Sequence, residues 1–326
     1  MRSPLRPFLT ALALTLSMPA LASTDAAPIA ALARQEARVA AIGFRLTTTN
    51  AQWCPLHQPQ FGWIWGDPRL YSAADRGPLR AVYGIGDVDA PYVASLAPGS
   101  PASIAGILVG TPIETVNAVA PASDGDSPFA RITALETALA ALPPTAAAVV
   151  GGGGKSWRII PVAGCVSDFR LEDRDREGAV ADGRAVYVDA GLARFAESDD
   201  DLAAAIAHEL AHNILRHRAR LDAAGVDRGI GKQFGRNARL FKQTEVEADR
   251  VSVWLLANAG YDPQAAIRFW ERFGQRPGRP AFQAATHPKW KDRVASFKAE
   301  IAAIDAARRA GQPLAPPLIA SPPPLE

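Results

Sequence analysis

The chain has 326 residues, 48% of them hydrophobic and 21% charged, with 12 Phe, 7 Trp and 5 Tyr, so a buried core is well supplied and disorder throughout is excluded. With 26 Gly and 27 Pro, turns are plentiful, and the length suits one large domain plus one small. The formal charge of +2 includes Arg2 and Arg6, and without them 33 basic side chains face 33 acidic ones, which speaks against a nucleic-acid partner.

Residues 1–22 have the plan of a cleavable secretory signal: Arg2 and Arg6, an apolar run from Phe8 to Met18, then Ala20-Leu21-Ala22. The run is too short to cross a hydrocarbon layer that needs about 20 residues. The expected product is exported, periplasmic or otherwise extracytoplasmic, soluble after cleavage and without a transmembrane segment. In an oxidising compartment two thiols tend to join, so Cys54 and Cys165 are expected to form a disulfide, with two separately buried thiols as the alternative.

Residues 23–79 begin with an amphipathic stretch, Ile29 to Ile42, in which Ile29, Leu32, Val39 and Ile42 fall near one helical face. It reads as a docking helix. The strand and loop that follow, with Trp53, Phe61, Trp63 and Trp65, complete a segment expected to pack on the main domain. Residues 80–163 change character: short β-branched runs (Tyr92 to Leu96, Ile113 to Val116, Trp157 to Val162) alternate with Gly and Pro turns. Val93 to Ala118 resembles the central part of PDZ domains, a strand, a PGSPA turn, a short helix and an AGI-L-x-G turn before an apolar strand. It departs from them at Thr111 and Ala118. The resemblance implies a second helix over Ile132–Leu142 and a peptide ligand added to a sheet edge, with Tyr83–Asp87 the best candidate for a carboxylate-binding turn, though a plain turn explains it equally well.

Residues 164–312 are mainly helical by pattern and carry the chemistry, and a Pro-rich tail, 313–326, reads as extended and mobile. His208-Glu209-Leu210-Ala211-His212 lies in a helix predicted from Asp199 to about Arg218, with Ser198 and Asp201 as a possible capping box. Four residues advance a helix by about 400°, so His208 and His212 share a face and reach one ion. Leu202, Ile206, Leu210 and Ile214 make a separate core ridge. A catalytic zinc takes three protein ligands and keeps a place for water. Glu245, four residues before Asp249 on an otherwise apolar helix, supplies the third. Glu247 competes, but it lies about 200° away and has the alternative of a capping box with Thr244.

HELAH, then EVEAD after 32 residues, then His287-Pro288 with Arg293, resembles the zinc metallopeptidases of the CAAX prenyl protease and HtpX type over roughly 168–306. The resemblance implies one Zn2+ per chain on His208, His212 and Glu245, with water as nucleophile, Glu209 as general base and a polypeptide as substrate. It implies that Asp249 holds a ligand histidine or pairs with Arg293. A His in the region of His287 lies near the cleft in the family, either stabilising an oxyanion or locking the open metal position, while a plain helix-start histidine is the other reading. Arg184, Ala185, Val186, Tyr187 and Val188 alternate after an Asp-Gly turn and read as an edge strand, of the kind that pairs with substrate backbone in such peptidases. The expected architecture is α+β: a mainly helical zincin-type metallopeptidase domain with a short edge strand, joined to a small β-rich PDZ-like domain. The expected function is a zinc-dependent endopeptidase of exported or envelope polypeptides, unfolded or misfolded ones among them. A PDZ-containing chaperone or adaptor with a locked or structural zinc is the alternative.

Overall fold

The computed structural model describes residues 26–121, 127, 129–226, 234–276 and 286–326, so the expected leader lies outside the described residues. Helix and sheet are mixed, and two core clusters account for most of the buried apolar side chains.

The chain enters on α1 (Ala27–Thr49), which runs past the expected Ile42 because Leu46 continues the buried stripe of Leu32, Val39 and Ile42. Gly43 interrupts that stripe for a reason of space: a Cβ there would stand 2.5 Å from the Phe169 ring. Asn50 ends the helix, its amide donating to the carbonyls of Leu46 (2.9 Å) and Leu255 (3.2 Å) and so tying the N-terminal helix to the helical half.

Next come β1 (His57–Gln60), β2 (Trp63–Gly66), α2 (Arg76–Tyr83), β3 (Tyr92–Leu96), α3 (Pro101–Ile104), β4 (Thr115–Val116), α4 (Ala130–Ala140), β5 (Ala148–Gly152), β6 (Lys155–Ile159) and β7 (Val162–Cys165). Strand β2 pairs antiparallel with β3, and β4, β5 and β6 form a three-stranded antiparallel sheet. Their core gathers Val93, Ile107, Ile113, Ile132, Leu135 and Ile159, and it takes Phe61 and Trp65 from ahead of Arg80. The apolar run from Trp157 to Val162 is split in two at Pro161, which cannot donate to a ladder. Strands β1 and β7 pair antiparallel and bring the ends of this region together, where Cys54 and Cys165 form the expected disulfide, Cα to Cα 5.3 Å.

The helical half opens with a second three-stranded sheet, β8 (Asp168–Glu172), β9 (Ala179–Ala181) and β10 (Ala185–Asp189), in the order β8-β10-β9. The helices are α5 (Ala190–Phe195), α6 (Asp199–Ile214), α7 (His217–Ala223), α8 (Gly235–Asn258), α9 (Gln264–Gly274), α10 (Trp290–Arg309) and α11 (Pro317–Ala320). Helix α6 is the hub, packed on α1, α8 and α9. Its ridge of Leu202, Ile206 and Leu210 has no exposed surface, each such side chain contributing about 1.5–3 kcal/mol by burial. Ala204, Ala211 and Ala248 are buried beside it and let α6 and α8 approach closely.

The Ser198 hydroxyl accepts from the Asp201 amide at 3.1 Å, as a cap should, while the Asp201 carboxylate turns to Arg272 at 2.8 Å, so the capping box is made on one side only. Helix α6 stops at Ile214 rather than near Arg218: Arg216 takes φ 53°, in the left-handed region, and α7 restarts at His217. The tail, expected to be mobile, contains the turn of α11 with Leu318 buried, and its last carbonyls accept from Arg220 and Gln243. Among the described residues no helix is long and apolar enough to cross a membrane.

Candidate metal centre

Helix α6 presents His208 and His212 one turn apart, and α8 crosses it so that Glu245 faces both. His208 Nε2 lies 3.3 Å from Glu245 Oε2, His212 Nε2 lies 3.4 Å from Glu245 Oε1, and the two Nε2 atoms are 3.3 Å apart. Four ligands around zinc with bonds of about 2.0–2.1 Å make a tetrahedron whose edges are about 3.3–3.4 Å. The three donor atoms therefore already form one face of that tetrahedron, and two imidazoles with a carboxylate are the donor types zinc prefers. Glu247 is not one of the three donors and instead meets His217 Nε2 at 3.1 Å; the expected capping box with Thr244 is not made, since Thr244 sits in mid-helix and its hydroxyl donates to the Phe241 carbonyl at 2.8 Å.

Electrostatics agree with the donor set. Burial by itself would raise the Glu245 carboxyl, but the His212, His208 and His287 imidazoles hold it well below its ordinary range. At His208 burial opposes charge, yet hydrogen bonds to Asp249 and Glu245 lift its value to about 9. The carboxylates thus favour positive charge between the rings. Behind His208, Nδ1 is 3.0 Å from Asp249 Oδ1, and Asp249 accepts from Arg293 Nε at 2.8 Å. Asp249 thus touches both His208 and Arg293. The Arg293 guanidinium in turn lies 3.3 Å from the Trp270 ring centre, a cation held by a carboxylate and an aromatic face.

Glu209 is next to His208 but turned toward the cleft, where burial pushes its carboxyl up to about 7 and the Ala181 amide hydrogen-bonds it. A carboxyl with that value is suited to accept and return a proton near neutral pH.

Residues 177–230 and 229–301 match the model of peptidase family M48. The matched stretch contains every ligand and supporting residue just described and leaves the β-rich region outside it. Among curated proteins, the mitochondrial metalloendopeptidase OMA1 of Schizosaccharomyces pombe is 33% identical over 164 residues, 42% of this chain and 48% of that one. The beta-barrel assembly-enhancing protease of Escherichia coli is 28% identical over 162 residues, 40% of this chain and 33% of that protein. The chain thus spans half or less of the curated relatives it matches. The likeness is to peptidases and supports a peptide-bond hydrolase.

A cleft of about 1000 Å³ runs past the site, walled by Leu192, Phe269, Trp270, Phe273 and Trp290 and edged by β9. The strand assignment made from sequence needs correction here. The stretch Arg184, Ala185, Val186, Tyr187 and Val188 does not carry a free edge: β10 is the middle strand, parallel to β8 and antiparallel to β9, so both of its edges are paired. The strand bordering the cleft is β9, whose other edge has no partner strand among the described residues. Ala179-Val180-Ala181 is too short to show a period of two, and its only sequence signal is the pair of flanking glycines, Gly178 and Gly183.

His287 also reaches the site, with Nε2 3.6 Å from Glu245 Oε2 and Nδ1 2.9 Å from the Thr286 hydroxyl. Asn213 supports the cleft edge, accepting from the Gly183 amide at 2.9 Å and donating to Ser167 at 3.1 Å. At the turn Tyr83–Asp87, Tyr83 is buried and its hydroxyl donates to Glu36 at 2.6 Å. A crevice lies between the β1–β2 turn and α4, lined by Phe61, Gly62, Trp63 and Leu139, with Phe169 of β8 in its wall and about 40 Å³ of room.

Proposed function

We propose that this chain is a zinc-dependent metalloendopeptidase that cleaves exported polypeptides, unfolded or misfolded ones among them, in an extracytoplasmic compartment. The observation that carries the reading is the triangle of His208 Nε2, His212 Nε2 and a Glu245 oxygen with edges of 3.3–3.4 Å, in a cleft large enough for a peptide. Zinc at that face would polarise a peptide carbonyl and make water a nucleophile at neutral pH.

The chain's own residues account for the remaining steps. Glu209 accepts the proton of the attacking water and then delivers it to the amine nitrogen as the peptide bond breaks, which its value of about 7 suits in both directions. The exposed edge of β9 receives substrate backbone as an added strand, a mode that reads shape and main chain more than sequence and so fits unfolded substrates. His287, on the solvent side of Glu245, is read as a group that meets the developing negative charge. The extracytoplasmic address rests on the leader pattern and on the Cys54–Cys165 disulfide. A peptide ligand for the β-rich region rests on its PDZ-like sequence alone, since its crevice of about 40 Å³ has room for water rather than a strand.

The test is Glu209→Gln in the full chain. Cleavage of an unfolded substrate is expected to fall about 10²–10⁴-fold while bound zinc stays at one per chain. Unchanged cleavage would remove Glu209 from the mechanism, and a wild type that holds zinc without cleaving would favour the adaptor reading.

A further inference from the structure

His212 has a neighbour that the motif does not include. His217 is 2% exposed, and its Nδ1 lies 2.8 Å from His212 Nδ1, the rings 4.8 Å apart and nearly perpendicular at 77°. On its far side His217 Nε2 lies 3.1 Å from Glu247 Oε2. Glu247 is 3% exposed and accepts from Arg220 at 2.5 Å and from Gln243 at 2.9 Å.

With His212 Nε2 kept free to hold a metal, one arrangement of protons satisfies this chain. The Glu247 carboxylate, held by two donors, accepts from His217 Nε2–H. A neutral His217 then has a bare Nδ1, which accepts from His212 Nδ1–H. His212 is left with its lone pair on Nε2, the atom that faces His208 and Glu245. The break in α6 makes the contact possible. In an unbroken helix His217 would lie about 140° round from His212, whereas the left-handed turn at Arg216 brings the ring back over it.

We propose that His217 and Glu247 are positioning residues for the metal ligand His212, setting its tautomer and ring orientation through an imidazole placed between ligand and carboxylate. The inference rests on the zinc reading above. Partners of this kind behind metal-bound histidines typically change metal affinity about 10–100-fold when removed.

The experiment is zinc affinity of the full chain, by competition with a chromophoric chelator, together with the melting temperature of the metal-free protein. His217→Ala is expected to weaken zinc about 10–100-fold. His217→Asn, whose amide oxygen sits near the place of Nδ1, is expected to restore most of that loss because it still accepts from His212. Glu247→Ala, which leaves both imidazoles in place, is expected to weaken zinc about 10-fold and decides the matter if His217→Ala does not fold. A merely structural role would lower the metal-free melting temperature and leave zinc affinity within about threefold in all variants, which would overturn the proposal. A wild type that binds no zinc would instead remove the metal reading itself.

Discussion

The two ligand histidines on α6 are held from behind in different ways. His208 meets a carboxylate directly: Asp249 sits at 3.0 Å, and Arg293, buried and stacked on Trp270, completes the arm. His212 meets its carboxylate through a second imidazole, and the arm ends in Arg220, whose side chain is 21% exposed, and in Gln243. Both arms finish on an arginine, but one arginine is sealed in the core and the other touches solvent and the chain's last residues. The direct arm is therefore rigid and costly to break, and the longer arm is adjustable from outside.

The largest effect should come from the sealed end. Arg293→Met removes the guanidinium from Asp249, 1% exposed, and leaves that buried carboxylate with the His208 ring alone, a change that typically costs about 3–5 kcal/mol. The matching change in the other arm, Arg220→Met, should cost about 1 kcal/mol, because solvent screens the charge and Gln243 still donates to Glu247. Chemical denaturation of the two variants measures the difference. Equal losses would mean that the arms are equivalent and that burial of the terminal arginine does not distinguish them.

That contrast also explains how much of the site was legible. Spacing on a helix is local geometry, so the pairs His208–His212 and Glu245–Asp249 followed from positions four apart, and the 200° offset separated Glu245 from Glu247, whereas the roles of Glu209 and Asp249 came with the family resemblance. Arg293 came only with the family resemblance. Nothing in Leu215-Arg216-His217 announces the break that brings His217 over His212: the left-handed residue is an arginine, not a glycine. The cleft strand was assigned to the wrong segment for another reason. Period-two alternation identifies β10 as a strand, but which strand lies at the edge is a matter of pairing between distant segments. The tail's contacts at Pro323 and Pro324 are made by backbone carbonyls, of which a pattern of side chains carries no trace.

A third buried carboxylate has no arginine partner among the described residues and sharpens the lesson. Glu36 on α1 is 6% exposed and is met by the Tyr83 hydroxyl at 2.6 Å, so burial dominates and pushes its carboxyl up to about 7. The folded protein then holds a proton that the unfolded chain, with an ordinary value of 4.5, releases earlier. Between pH 4.5 and about 7 stability therefore falls with rising pH, and above about 7 the loss is complete, roughly 3 kcal/mol. Glu36→Gln, which keeps an acceptor for Tyr83 without a charge, should raise the melting temperature at pH 8 and leave it nearly unchanged at pH 4.5. The same gain at both values would show that the substitution acts through packing rather than through the proton.

The smallest expected effect is at the outer end of the adjustable arm. Arg220 donates to the Pro323 carbonyl and Gln243 to the Pro324 carbonyl, both at 2.7 Å, while Leu325 packs against the cluster of Leu221, Val226 and Leu240. Removing residues 323–326 leaves Glu247 with the same two donors but frees those donors to move, so the constraint on His217 and His212 loosens without any group of the arm being lost. Zinc affinity should fall about threefold, below the roughly tenfold expected when an arm member is deleted. If truncation and His217→Ala are combined, the loss should not exceed that of His217→Ala alone, because a tail that acts through this imidazole has nothing left to act on. Additive losses would place the influence of the tail outside the arm.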